Sequence, residues 1–225
     1  MKKNVFNLIL LVLLCSFVLS CTINTKTLFE KDFVFVKGAT IEGAIQAEGY
    51  PESYWFKAGA KHVIKDFYIC NHEITQQEFA MYGMKNYDVR VELSGESIGP
   101  YYPAHQVNWF DVLMYCNRRS VAEGLTPCFS IGGETNPDKW GRQPDSQEDP
   151  GWDDWYHAKC DFTANGYRLP TIVEWEYAAR GGHQYDTEEN WNYKYSGSGK
   201  IDNVCWDHIN SEGKSHQVGL KSKNQ

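Results

Sequence analysis

Hydrophobic residues in this chain fall into short runs of two distinct periods, separated by long stretches rich in glycine and polar side chains. Phe33-Val34-Phe35-Val36 before Lys37-Gly38 predicts a core strand that ends at a turn. His62 to Cys70 predicts a second strand, with Val63, Phe67 and Ile69 on its buried side. Three segments instead carry helical spacing behind a start signal. Thr75 and Glu78 stand at the spacing of a capping box, opening a helix that buries Phe79 and Tyr82. Asn108 and Asp111 open the next, with Val107 as a hydrophobic staple. Trp109, Val112, Leu113 and Cys116 are its expected inward face, and Gly124 its stop. Thr171 and Glu174 mark the third helix, after Pro170 has kept the preceding residue extended. Its expected buried face is Trp175, Ala178 and Ala179, closed by Gly181 and Gly182, while Glu176 takes an exposed position.

The segments between are irregular. Residues 43–61 read as loop, with Gly49-Tyr50-Pro51 as a turn signal, and residues 95–103 have no period. Residues 127–161 are rich in Gly, Pro and Asp, yet Trp140, Trp152 and Trp155 predict that this stretch packs onto the domain. Its acidic residues lack the alternation and central glycine of an EF-hand, so a solvated loop is expected. Cys128 and Cys160 bracket the stretch and are a possible disulfide. Residues 201–208 read as a short strand or turn.

Composition narrows the class. With 225 residues and 42% hydrophobic content the chain can build one sizeable core, and 15% aromatics with 19 glycines favour a loop-rich fold over a bundle. A net charge of -7 without a basic stripe argues against nucleic acid as a partner. Lys2, Lys3 and the apolar run Leu8 to Leu19 form a targeting segment too short to span a bilayer comfortably. Val18-Leu19-Ser20-Cys21 resembles a bacterial lipoprotein cleavage box; an ordinary secretory signal with a chance cysteine is the alternative. The expected organisation is a lipoprotein signal peptide over 1–20, a tether over 21–31 lipidated at Cys21, and a domain over 32–225. Such a protein is held to the cell membrane or outer membrane by acyl chains, palmitate among them, on its extracytoplasmic side. Five cysteines remain, Cys70, Cys116, Cys128, Cys160 and Cys205, with no CxxC pair.

No catalyst is evident. The histidines form no HExxH helix, no GxSxG elbow occurs, and Tyr195 to Lys200 lacks the spacing of a phosphate loop. The catalytic set read from the residues is therefore none.

Asn165 to Gly182 reads NGYRLPTIVEWEYAARGG, which closely resembles a signature of the formylglycine-generating-enzyme, or sulfatase-modifying-factor, family. Blocks at 33–43, 67–79, 103–131 and 203–224 resemble that family in order. The resemblance implies an α+β, C-type-lectin-like fold with little regular structure. It also implies that the family's final part, which carries the copper-binding redox cysteines of its oxidases, lies beyond Gln225. Copper is thus expected only if that part exists. One family calcium site corresponds to Asn203 (side chain), Val204 (carbonyl), Asn210 (side chain) and Glu212 (carbonyl), and oxygen ligands from an irregular loop suit a structural calcium ion. Cys116 matches a family cysteine that bonds, in some members, to the absent portion.

The expected function is binding or surface display by a lipid-anchored, non-catalytic domain, with a protein or glycan as ligand. The alternative is a fragment of an oxidase that converts a protein cysteine to formylglycine. A lectin reading rests on fold analogy alone.

Overall fold

A computed structural model describes residues 31–43, 55–84, 97–184 and 193–223. The chain divides into two compact units, residues 1–33 and 34–225, and almost all described residues belong to the second. Cys21, the signal segment and Gly49-Tyr50-Pro51 lie outside the described residues.

The strands are short and pair two by two. β1 (Phe33–Val36) pairs with β4 (Phe67–Cys70), and β2 (Thr40–Glu42) lies antiparallel to β3 (Lys61–Val63). β5 (Phe129–Ser130) lies antiparallel to β6 (Lys159–Cys160). The expected strand over 62–70 is thus two strands broken at residues 64–66. Val63 is 71% exposed, contrary to expectation. Alternation is the reason: Ile41 packs on a core and faces His62, so Val63 and its partner Thr40 point away. Ile64, the next residue, is buried instead. Gly38 sits where the chain passes this break, and a Cβ there would lie 2.1 Å from the Ile64 carbonyl oxygen.

All three expected helices form, each with both halves of its capping box. They are α1 (Gln76–Met81), capped by Thr75 and Glu78; α2 (Trp109–Ala122), capped by Asn108 and Asp111; and, further along, Ile172–Ala179, capped by Thr171 and Glu174. Between the last two lies α3 (Trp152–Tyr156), so Ile172–Ala179 is α4. Ile201–Val204 forms a short helix, α5, where a strand or turn was expected. Gly124 takes φ 72° just past α2, and Gly181 and Gly182 take φ 96° and 55° past α4, as their stop signals required.

Inward faces differ from the expected ones at both indoles. Trp109 is 53% and Trp175 56% exposed. Trp109 is the first residue of α2, ahead of the turn at which the helix meets the core; the buried stripe is Leu113, Cys116, Asn117 and Ser120. In α4 the buried ring is Tyr177, which closes a small core with Val36, Phe56 and Ile64 and donates to the Lys37 carbonyl at 3.1 Å. Glu176 is half-buried against Arg180 and not free in solvent.

The larger core joins Phe79, Leu113, Tyr115, Cys116, Phe129, Ile131, Trp140 and Trp155, so residues 127–161 do pack down. A fully buried Asn117 holds them there. Its amide nitrogen donates to the carbonyls of Phe129 (2.7 Å) and Thr135 (2.8 Å), and its oxygen accepts from Phe129 N–H (3.0 Å). The NGYR stretch passes equally close to α2. A Cβ on Gly166 would come within 2.3 Å of the Thr126 carbonyl oxygen and 2.6 Å of Ser120 Oγ, and Tyr167 N–H donates to that hydroxyl at 2.8 Å.

At the end of α2, the buried Arg119 and Glu123 form an ion pair at 3.0 Å. Tyr82 and Tyr167 donate to the two Glu123 oxygens (2.6 and 2.5 Å), while Arg119 donates to Tyr115 Oη (3.1 Å) and lies over the Tyr167 ring. Burial, and then the Glu123 carboxylate, push the Tyr82 and Tyr167 hydroxyls above their ordinary range.

Breaking this pair should be costly. Glu123→Ala leaves a buried guanidinium without its partner and is expected to lose about 3–5 kcal/mol in urea denaturation, whereas an exposed control such as Glu42→Ala should lose under about 1 kcal/mol. Acid stability has a second source. Burial pushes the Glu174 carboxyl up, but two bonds from Arg168 (2.7 Å each) and the Thr171 N–H outweigh it and hold the group below its usual 4.5. A depressed carboxylate contributes fully above the unfolded value and loses that contribution as pH falls through the folded one. Melting temperature against pH should therefore fall less steeply below about pH 4.5 in Glu174→Gln than in the unaltered protein.

Candidate functional site

The calcium-type residues lie in one turn-rich segment around α5. Asn210 has a committed side chain: its oxygen accepts from Asp207 N–H (2.8 Å), and its amide donates to Asp202 Oδ1 (2.9 Å) and the Cys205 carbonyl (3.0 Å). Asn203 donates to Ser198 Oγ at 3.2 Å, and its carbonyl accepts from Ser222 N–H. Glu212 takes a left-handed φ of 56°. Beside this loop the Trp206 ring stacks on His216 at 3.8 Å, with the Lys221 ammonium 3.7 Å from its centroid.

Cys128 and Cys160 are free thiols in the structure: Cys160 lies in β6 opposite Phe129, and Cys128 immediately precedes β5. Burial raises both thiols above their ordinary range, and it pushes buried Cys116 up to about 12. Cys205 is exposed.

The most concentrated reactive chemistry lies elsewhere, at the junction of β4 and α1. Cys70 ends the strand, His72 follows in the connecting turn, and Glu78 is the capping residue of the helix. His72 presents Nδ1 to Cys70 Sγ at 3.7 Å and Nε2 to Glu78 Oε2 at 3.1 Å. Asn71 Oδ1 lies 2.5 Å from the same Nδ1. Glu78 Oε2 is itself fixed by Thr75 N–H and Oγ1, both at 2.8 Å. The His72 and Glu78 side chains are only 17% and 16% exposed. Hydrogen bonding to Cys70 and then to Glu78 raises His72 to about 10 against the opposing effect of burial. Burial would raise Glu78, but His72 and Thr75 bring it down to about 2. Among the described residues this is the one Cys/His/Asp/Glu group whose ligand atoms all lie within 4.8 Å of each other. In the sequence Glu78 reads as a helix cap alone, which hides its second role beside His72. The available signal was Cys-x-His at a strand end, six residues before a capping glutamate.

Short paired strands, capped helices and packed loops define an α+β domain of the formylglycine-generating type. Comparison with known proteins gives its family: residues 22–225 match the sulfatase-modifying factor enzyme 1-like domain, and the chain belongs to that family. It is 33% identical over 192 residues to "Chaperone protein LppX" of Paenibacillus barcinonensis, covering 85% of this chain and 59% of that protein. The chain thus spans under two thirds of the length of this curated relative. Among solved structures it resembles "Treponema denticola variable protein 1" (28% identity, TM-score 0.62, 84% of this chain and 66% of that one). It also shares its fold with CarF (20% identity, TM-score 0.60, 86% and 74%). Among the described residues no helix is long and apolar enough to cross a membrane.

The thiols should separate by exposure. Under native conditions an alkylating reagent is expected to label Cys205 first and Cys116 last, with Cys116 modified only as the protein unfolds, read by peptide mass against time.

Proposed function

We propose that this protein is a lipid-anchored, extracytoplasmic binding protein whose sulfatase-modifying-factor domain engages a protein ligand without performing the family's oxidase chemistry. The observation that carries this reading is the similarity, over most of the chain, to a relative named as a chaperone protein. The geometry supports it. Aromatic contacts run outward from the core through Trp140, Trp155, Phe110, Trp152 and Tyr156, with Tyr156 exposed and Trp109 exposed beside Phe110. Rigid aromatic side chains at a surface are the residue types that dominate protein–protein recognition. The anchor is Cys21, after an apolar run too short to serve as a span. Calcium bound through Asn203, Val204, Asn210 and Glu212 would be structural, and would share the Asn210 oxygen with Asp207 N–H, using its second lone pair.

Two measurements test the proposal. The protein isolated from its own membranes should have the mass of a chain that begins at acylated Cys21, and Cys21→Ser should release it from the membrane fraction. The full chain, at equimolar ratio, should suppress light scattering by a chemically unfolded client protein, and Trp109→Ala with Tyr156→Ala should reduce that suppression. An unmodified Cys21 would remove the anchor. Conversion of a cysteine-bearing peptide to formylglycine by the full chain would replace binding with the oxidase reading.

A further inference from the structure

Cys70, Asn71 and His72 place a sulfur, an oxygen and a nitrogen around one point at the end of β4. We propose that Cys70 Sγ and His72 Nδ1 chelate a divalent cation of the zinc class, with Asn71 Oδ1 as an additional oxygen donor and Glu78 as the positioning residue that holds the imidazole through Nε2. This site is independent of the binding function proposed above.

The donor set fits that class of ion. Thiolate with imidazole selects borderline-soft metals, whereas calcium and magnesium require several oxygens. The bite also fits. Zinc–sulfur and zinc–nitrogen bonds of about 2.3 and 2.1 Å at a tetrahedral angle put the two ligand atoms about 3.6 Å apart. Cys70 Sγ and His72 Nδ1 are 3.7 Å apart, so the sulfur–nitrogen chelate closes with almost no movement, whereas Asn71 Oδ1, now 2.5 Å from Nδ1, has to swing back to about 3.4 Å to join as a third ligand. The metal takes the place of the proton on Nδ1, which faces Cys70 Sγ and Asn71 Oδ1.

Glu78 completes the arrangement from the other side of the ring. Its Oε2 meets Nε2 at 3.1 Å while Thr75 holds that oxygen with its N–H and hydroxyl. A metal-bound histidine commonly donates its other N–H to a carboxylate in this way, which fixes the tautomer and raises the basicity of the ligating nitrogen. The capping box therefore serves twice: it starts α1 and immobilises the carboxylate that orients the ligand. With two side chains and one amide oxygen supplied by adjacent residues, at least one coordination position remains for water or for a residue of a bound partner.

Titration of the full chain with cobalt(II) provides the test, because thiolate ligation gives an intense sulfur-to-metal charge-transfer band, and zinc competition then reports affinity. The expected result is one equivalent of cobalt with that band, displaced by zinc. Cys70→Ser should abolish the band, and His72→Ala should weaken binding at least tenfold. Glu78→Gln should weaken binding roughly 10–100-fold while the band persists at saturation, the mark of a positioning residue and not a ligand. Cys205→Ser should change nothing. Circular dichroism melts identify any variant that fails to fold, and zinc protection of Cys70 from alkylation in the unaltered chain supplies a readout without substitution. A band that survives Cys70→Ser, or disappears in Cys205→Ser, overturns the proposal, as does equal alkylation of Cys70 with and without zinc.

Discussion

The fold depends on keeping one ion pair out of water. Arg119 and Glu123 are both buried at the end of α2, where their attraction has to offset the loss of hydration of two charges. The surrounding hydroxyls make this tolerable: Tyr82, Tyr115 and Tyr167 take up the hydrogen-bonding capacity that the pair leaves over. Each tyrosine comes from a different part of the chain, Tyr82 from the end of α1, Tyr115 from α2 and Tyr167 from the NGYR stretch. A single electrostatic requirement therefore gathers three segments that regular hydrogen-bond ladders do not connect. Among the described residues strands are two to four residues long, and such side-chain junctions take over much of the work that sheets do elsewhere.

Helix starts were legible because a capping box is a local interaction. Thr75–Glu78, Asn108–Asp111 and Thr171–Glu174 all form with both hydrogen bonds present, needing nothing beyond four consecutive residues. Helix faces were less legible, because a face is set by whatever packs against it. Trp175 looked like the anchor of α4 by size, but Tyr177 alone combines a ring for the small core with a hydroxyl for the Lys37 carbonyl. The α+β class and the family were readable from the NGYRLP stretch and its companion blocks, and both stand. The candidate metal site was not readable for a related reason. Cys70 and His72 are neighbours in sequence, but the group that orients them was already assigned a local role, and only the fold shows that one carboxylate oxygen performs both tasks.

The two cysteine groups illustrate how placement and not residue type decides chemistry. Cys116, Cys128 and Cys160 sit in or beside the larger core, where burial disfavours the thiolate. Cys70 is half-buried at the end of β4, outside both cores, with an imidazole as its neighbour. A thiol in the first setting behaves as a small hydrophobe, and a thiol in the second is available to soft ions.

Asn117 has a consequence for how this family domain can vary. Its amide pairs with the backbone of Phe129 on both sides, as a neighbouring strand would, and reaches Thr135 as well. The long segment from 127 to 161 is thus registered at its beginning by a helix side chain and at its end by the β5–β6 pairing, while the exposed residues around 141–151 contribute little to either anchor. Length and composition can drift there without disturbing the core, since lengthening a loop whose ends are already held costs only a slowly growing entropy. Between its two anchors the segment therefore behaves as a tethered loop, its ends fixed by the core and its middle able to lengthen at little cost to the frame.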